Sequence, residues 1–199
     1  MRPIRDIIVK VDKAYNSEIK LKSGLVLFLD QNIKQVKDTV RYGEVVAIPE
    51  GLNKDIRVGD TLFFHHGIVA VTVMDGQEDI QSDYLVSKKE GLYRVPVNDR
   101  WPMMYATVRD GEFRSLDGIC FVRGLTTKKY QSNLLIIPGN ETEVRHIGEM
   151  VYSNQSLEAK GVVPGTKVVY EKDSEYRFNV NGEELYCMFD KWILGVYEG

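Results

Sequence analysis

Cysteine is scarce in this chain: two residues in 199, Cys120 and Cys187, far apart and without Cys-x-x-Cys spacing. That excludes a disulfide framework and a cysteine-rich zinc site, leaving reduced, buried thiols in a cytoplasmic protein as the expectation. Long apolar runs are missing too. None approaches the roughly 18 residues of a membrane-spanning helix, so no membrane partner is expected. The opening "MRPIRDIIVKV" lacks a small-residue cleavage site, which argues against a secretory signal. A net charge of -3 leaves no basic footprint for nucleic acid. Helical periodicity is also absent, with no amphipathic segment of three turns.

What is present reads as short strands. "DIIVKV" (6–11), "GEVVAI" (43–48), "DTLFFH" (60–65), "IVAVTVM" (68–74), "ICFVRGL" (119–125), "NLLIIP" (133–138), "TKVVYEK" (166–172) and "EYRFNV" (175–180) are rich in β-branched and aromatic residues. Turn residues bound them. Asn181-Gly182, Asp75-Gly76 and Asp110-Gly111 predict tight turns, the first a type I′ hairpin. The class is all-β, as small barrels or sandwiches.

The halves repeat one another. Val40-Arg41 matches Val144-Arg145, Gly43-Glu44 matches Gly148-Glu149, and Val58-Gly59-Asp60 matches Pro164-Gly165-Thr166, at separations of 104 to 106 residues. "DIIVKV" answers "DGICFVR" (117–123), and "EGLYRV" (90–95) is matched to "KWILGV" (191–196). Two domains follow, 1–97 and 115–199, with 98–114 as a linker. In each, an apolar peptide lies between the first strand and the Gly-Glu pair: "GLVLFL" (24–29) and "NLLIIP".

These residues carry a resemblance. "RPIRDIIVKV" (2–11), "SGLVL" (23–27), "GEVVAI" with "VGDTLFF" (58–64), and the tail "GEELYCMFDKWILGVYEG" (182–199) resemble, in order and spacing, GroES-like co-chaperonins of the 10-kDa chaperonin family. The resemblance implies two tandem GroES-like small β-barrels capping a large ATP-dependent, GroEL-like chaperonin and assisting protein folding. It implies a ring-like homo-oligomer with Ile7, Ile8, Val9, Ile193, Leu194 and Val196 at the strand contacts between domains. The chain departs from the family in having two domains per chain. It also has short segments between its central strands, and Asn133-Leu134 where the family has a glycine pair.

Leu25, Val26 and Leu27 would be the chaperonin-binding anchor of the first domain, and Leu135, Ile136 and Ile137 that of the second. A polar-flanked hydrophobic peptide can fold as it docks into an apolar groove. The competing reading of such a run is a buried strand. A further alternative keeps the fold and makes it a non-catalytic structural or assembly module, such as a viral or scaffold protein. Catalysis finds thin support. His65-His66 lacks a third ligand at recognisable spacing, and adjacent residues on a strand face opposite ways. "GVVPGTK" (161–167) has one residue too few between its glycines for a phosphate loop. A Rossmann GxGxxG is absent, and no nucleophilic triad stands out. No enzyme activity, metal or cofactor is therefore expected.

Overall fold

Strand β1 (Ile7–Lys10) buries Ile7, Ile8 and Val9, so both of its faces are packed. Such a strand belongs in the interior of a sheet, and β1 lies inside one. The computed structural model describes residues 2–14, 18–20, 26–28, 39–70, 82–97, 103–128 and 141–198. The chain divides into two compact units, Met1–Arg114 and Ser115–Gly199.

Along the first unit come β2 (Glu18–Lys20), β3 (Val26–Phe28), β4 (Tyr42–Ala47), β5 (Thr61–Phe64), β6 (Leu85–Ser87), β7 (Leu92–Val95), β8 (Met104–Arg109) and β9 (Glu112–Ser115). The second holds β10 (Ile119–Lys128), β11 (Glu141–Tyr152), a single α-helical turn α1 (Gln155–Glu158), β12 (Lys167–Tyr170), β13 (Tyr176–Val180), β14 (Glu183–Phe189) and β15 (Ile193–Val196). The protein is all-β. One sheet runs β6-β7-β1-β4-β5-β8-β9, a second β13-β14-β10-β11-β12-β15, and β2-β3 form a third by themselves. No closed barrel is found among the described residues.

Apart from β9, the two large sheets have the same strand order. Their hydrogen bonds agree as well. Val45 N donates to Asp60 O at 2.8 Å and Gly59 N to Val45 O at 2.8 Å; Met150 N donates to Thr166 O at 2.8 Å and Gly165 N to Met150 O at 2.7 Å. Gly59 and Gly165 sit at φ 92° and 89°, the left-handed region that glycine adopts without a Cβ penalty. Gly43 and Gly148 both lie against the first strand of their unit. A Cβ on Gly43 would come within 2.6 Å of Lys10 O, and one on Gly148 within 2.2 Å of Val122 Cγ1 and 2.7 Å of Arg123 O.

The structure corrects four sequence expectations. Residues 104–114 of the expected 98–114 linker belong to the sheet instead, because β8 pairs with β5 and β9 extends it, while 98–102 lie outside the described residues. "EGLYRV" answers "EELYCM" (183–188), not "KWILGV": Tyr93 pairs with Val9 and Tyr186 with Val122. The counterpart of Ile193–Val196 is β8, since each lies beside the strand that follows the glycine turn, across a bulge. Finally, residues 66–68 within "IVAVTVM" and its approach form a 3₁₀ turn rather than a strand, while 71–74 and Asp75-Gly76 lie outside the described residues.

Local chemistry fixes the turns. Asp110 and Gly111, at φ 53° and 81°, close the β8–β9 hairpin, and Asn181 and Gly182, at 53° and 86°, the β13–β14 hairpin. Both pairs have the two positive φ values of a type I′ turn. Asp60, almost fully buried, receives Arg109 Nε and Nη2, each at 2.8 Å, and Arg57 N at 2.8 Å. The Arg109 hydrogen bonds hold its carboxyl below the usual carboxylate range. In the second unit Asn154 caps α1 by accepting from Leu157 N at 3.0 Å, while its amide donates to Ile119 O at 3.0 Å. Leu157 thereby joins a core of Cys120, Val122, Met150, Val168, Tyr170 and Met188.

The close approach at Gly148 is testable. Gly148→Ala should lower stability by about 1–3 kcal/mol, the usual range for forced overpacking. Gly195→Ala, whose Cβ meets nothing within 4 Å, should leave the urea midpoint nearly unchanged.

Candidate functional site

The segment between β1 and β4 leaves its sheet through a narrow neck. Val40 N donates to Ala14 O at 3.0 Å, and Thr39 and Val40 are buried there. Beyond the neck β2 and β3 pair, among the described residues, only with each other, Glu18 opposite Phe28, Ile19 opposite Leu27 and Lys20 opposite Val26. Val26 and Leu27 therefore lie in a two-stranded ribbon outside the seven-stranded sheet. Val26–Phe28 of the apolar run form a strand, but not one of that sheet. Phe28 shares it; Leu25 lies outside the described residues. At the root of the neck is a groove of about 390 Å³, lined on one side by Lys10, Val11, Asp12 and Lys13 and on the other by Val40, Tyr42, Gly43 and Glu44. Charges of both signs line it, and Tyr42 is half-exposed against Phe63, ring centroids 5.7 Å apart.

The second unit frames its counterpart differently. There β10 and β11 continue past the sheet as a hairpin, Thr126 opposite Glu143, Thr127 opposite Thr142 and Lys128 opposite Glu141. A bulge interrupts the pairing just before this extension, and within it His146 takes φ 67°. Leu135, Ile136 and Ile137 belong to the segment this hairpin brackets and lie outside the described residues.

The expected strand contacts between domains divide into two cases. Ile7, Ile8 and Val9 cannot supply an edge, because β1 pairs with β4 on one side and β7 on the other. Their backbone groups are already used, which corrects the sequence expectation. Strand β15 pairs with β12 alone among the described residues, and Leu194 and Val196 are 62% and 49% exposed while Ile193 is half-buried. The resemblance implies one role for both strands, and both are short and apolar. Only burial on two faces rather than one separates them.

The histidine pair is also repositioned. His65 and His66 do not point to opposite sides of a strand: the chain turns into the 3₁₀ segment and their rings lie 4.1 Å apart. His65 Nδ1 accepts from Gly67 N at 3.1 Å. Burial first, then the neighbouring His66 and Arg41, pushes His65 down from 6.5 to about 4, and burial likewise lowers His66. Among the described residues no group of three potential metal ligands converges. Cys120 and Cys187 are buried thiols outside any disulfide. Phe121 is the residue opposite Cys187, so the two thiols face opposite sides of the sheet, and burial pushes the Cys120 thiol up to about 12. No protein-family model matches the chain, and no curated protein matches it either.

The depressed imidazoles set a pH dependence. The unfolded chain takes up a proton near pH 6.5 that folded His65 refuses until about 4, so stability is full above 6.5 and is lost as pH falls toward 4. Urea midpoints across that window should drop for the native chain and drop less for His65→Asn. An equal drop in both would assign the effect to other groups.

Proposed function

We propose that this chain is a tandem co-chaperonin of the GroES-like kind, a lid that docks on a large ATP-driven chaperonin through its apolar peptides and assists folding inside the closed cage. The observation that carries this reading is the β2–β3 ribbon, which places Val26 and Leu27 on a hairpin of its own, tied to the first sheet at the neck. Two units of one strand order, each with an apolar peptide in the sequence between its first and second strands, support it further. The chain itself needs no reaction; its partner hydrolyses ATP.

The energetics favour many weak contacts over one strong one. Burying three anchor side chains contributes roughly 5–9 kcal/mol. Ordering around ten residues costs on the order of 10 kcal/mol. A single peptide should bind weakly, and several tethered peptides tightly through effective concentration. An assembly of this chain is therefore part of the proposal, and β15 is where the described structure leaves room for it. That uncovered strand also favours a second reading, a non-catalytic assembly module whose copies join by strand addition.

Replacing Leu25, Val26 and Leu27 together by Ser should leave the melting temperature nearly unchanged and abolish co-sedimentation with a nucleotide-loaded chaperonin. The same change at Leu135, Ile136 and Ile137 asks whether the second unit docks. A stable variant that still binds removes the anchor; failure of the native chain to bind any chaperonin leaves the assembly reading.

A further inference from the structure

Asn181-Gly182 is the sole Asn-Gly step in the sequence, and both residues are exposed at the tip of the β13–β14 hairpin. Asparagine is among the thermolabile residues, and glycine, lacking a Cβ, leaves its backbone nitrogen open to approach. A carboxamide followed by such a nitrogen is one bond away from a five-membered ring. The β8–β9 hairpin carries Asp110-Gly111 instead, at φ 53° and 81° against 53° and 86° here. A type I′ turn of this fold thus already holds an aspartate in the conformation that Asn181 adopts.

We propose that Asn181 is a site of spontaneous deamidation, gated by the side chain of Asn179. The reading is independent of the proposed chaperonin partner. The Gly182 nitrogen loses its proton and attacks Asn181 Cγ; the Cγ–Nδ2 bond breaks, ammonia leaves, and a succinimide remains. Water then opens the ring at either bond to that nitrogen. Breaking the bond to Cγ gives aspartate; breaking the bond to the Asn181 carbonyl carbon gives isoaspartate, its main chain routed through Cβ and Cγ. No oxidant or reductant takes part. In the folded hairpin the nucleophile is engaged, because Gly182 N donates to Asn179 Oδ1 at 3.0 Å. That hydrogen bond keeps the proton on the nitrogen and holds it in the turn, so conversion waits on local opening. The hairpin lies at the end of its sheet, β13 pairing with β14 alone among the described residues. The two products differ in consequence. Aspartate keeps the turn and adds a negative charge beside Glu183 and Glu184. Isoaspartate lengthens the main chain of a two-residue loop that sets Val180 opposite Glu183 and Phe178 opposite Leu185. Turn length fixes that register, and Phe178, Val180 and Leu185 are buried by it.

A time course at mildly alkaline pH tests this. Peptide mapping of the incubated native chain should find aspartate and isoaspartate at position 181. Conversion should run about tenfold slower than in a free peptide of residues 177–185, since only the opened hairpin reacts. Asn179→Ala should convert roughly three- to tenfold faster than the native chain, the span that one lost hydrogen bond allows. Asn179→Asp keeps an acceptor oxygen and should stay slow. Arg177→Ala loses the hairpin's ion pair to Glu184 at 2.9 Å but leaves Gly182 N engaged, and should convert at close to the native rate. The urea midpoint should hold for Asn181→Asp and fall for the purified isoaspartate form. No conversion at 181, or native conversion at the peptide's rate, would overturn the site. Equal acceleration by Asn179→Ala and Arg177→Ala would overturn the gate, since hairpin stability alone would then set the rate. If Asn179→Ala fails to fold, Asn179→Asp decides: a rate above the native one removes the gate, and a native or slower rate upholds it.

Discussion

A glycine pressed against a neighbouring strand's carbonyl organises each half of this protein. Gly43 lies over Lys10 O and Gly148 over Arg123 O, closer than any side chain would allow. That contact sets the second strand's register on the first. Two residues on, Val45 and Met150 enter the core and exchange hydrogen bonds with the glycine turns at 59–60 and 165–166. Those turns aim β5 and β12, which in turn receive β8 and β15. The strand order of both sheets follows from where one missing side chain lets two backbones meet.

The same contact fixes where the longest connection of each unit leaves its sheet. The first and second strands are joined by long segments in both units, and a rigid register at their base gives each segment a fixed exit. Binding residues are commonly carried on excursions from a stiff scaffold. Here the scaffold differs between the units: the first sends out a separate ribbon beyond a buried neck, the second prolongs its own strands past a bulge at His146.

Much of this was legible in the residues. Alternation and turn chemistry place most strands, and Asn181-Gly182 and Asp110-Gly111 mark their hairpins because a type I′ turn needs positive φ at both positions. The Gly-Glu and glycine-turn repeats were read correctly because a close approach and a left-handed φ admit few substitutes. The tail of the repeat was misregistered. "EGLY" and "EELY" stand in plain view, but segments of unequal length before β7 and β14 shift the offset between halves, and "ILGV" draws the eye to the wrong partner. β8 escaped notice because "MYATV" lies between a Trp-Pro and a turn and reads as a connection. For the site, apolar character marked Val26 and Leu27, while nothing in "IIV" and "ILGV" alone tells a central strand from an edge.

The ion pair between Asp60 and Arg109 has a consequence for the portability of the first unit. Asp60 sits in the turn before β5, whereas Arg109 arrives at the end of β8, after residue 97. A piece ending at 97 would keep the buried carboxylate and discard the guanidinium that answers it, along with the strand that covers β5. Uncompensated buried charge is among the most damaging defects a small domain can carry. The smallest piece of this half that could be transplanted whole therefore runs through Arg109. What looks like a tether in the sequence is the keystone of the module it follows.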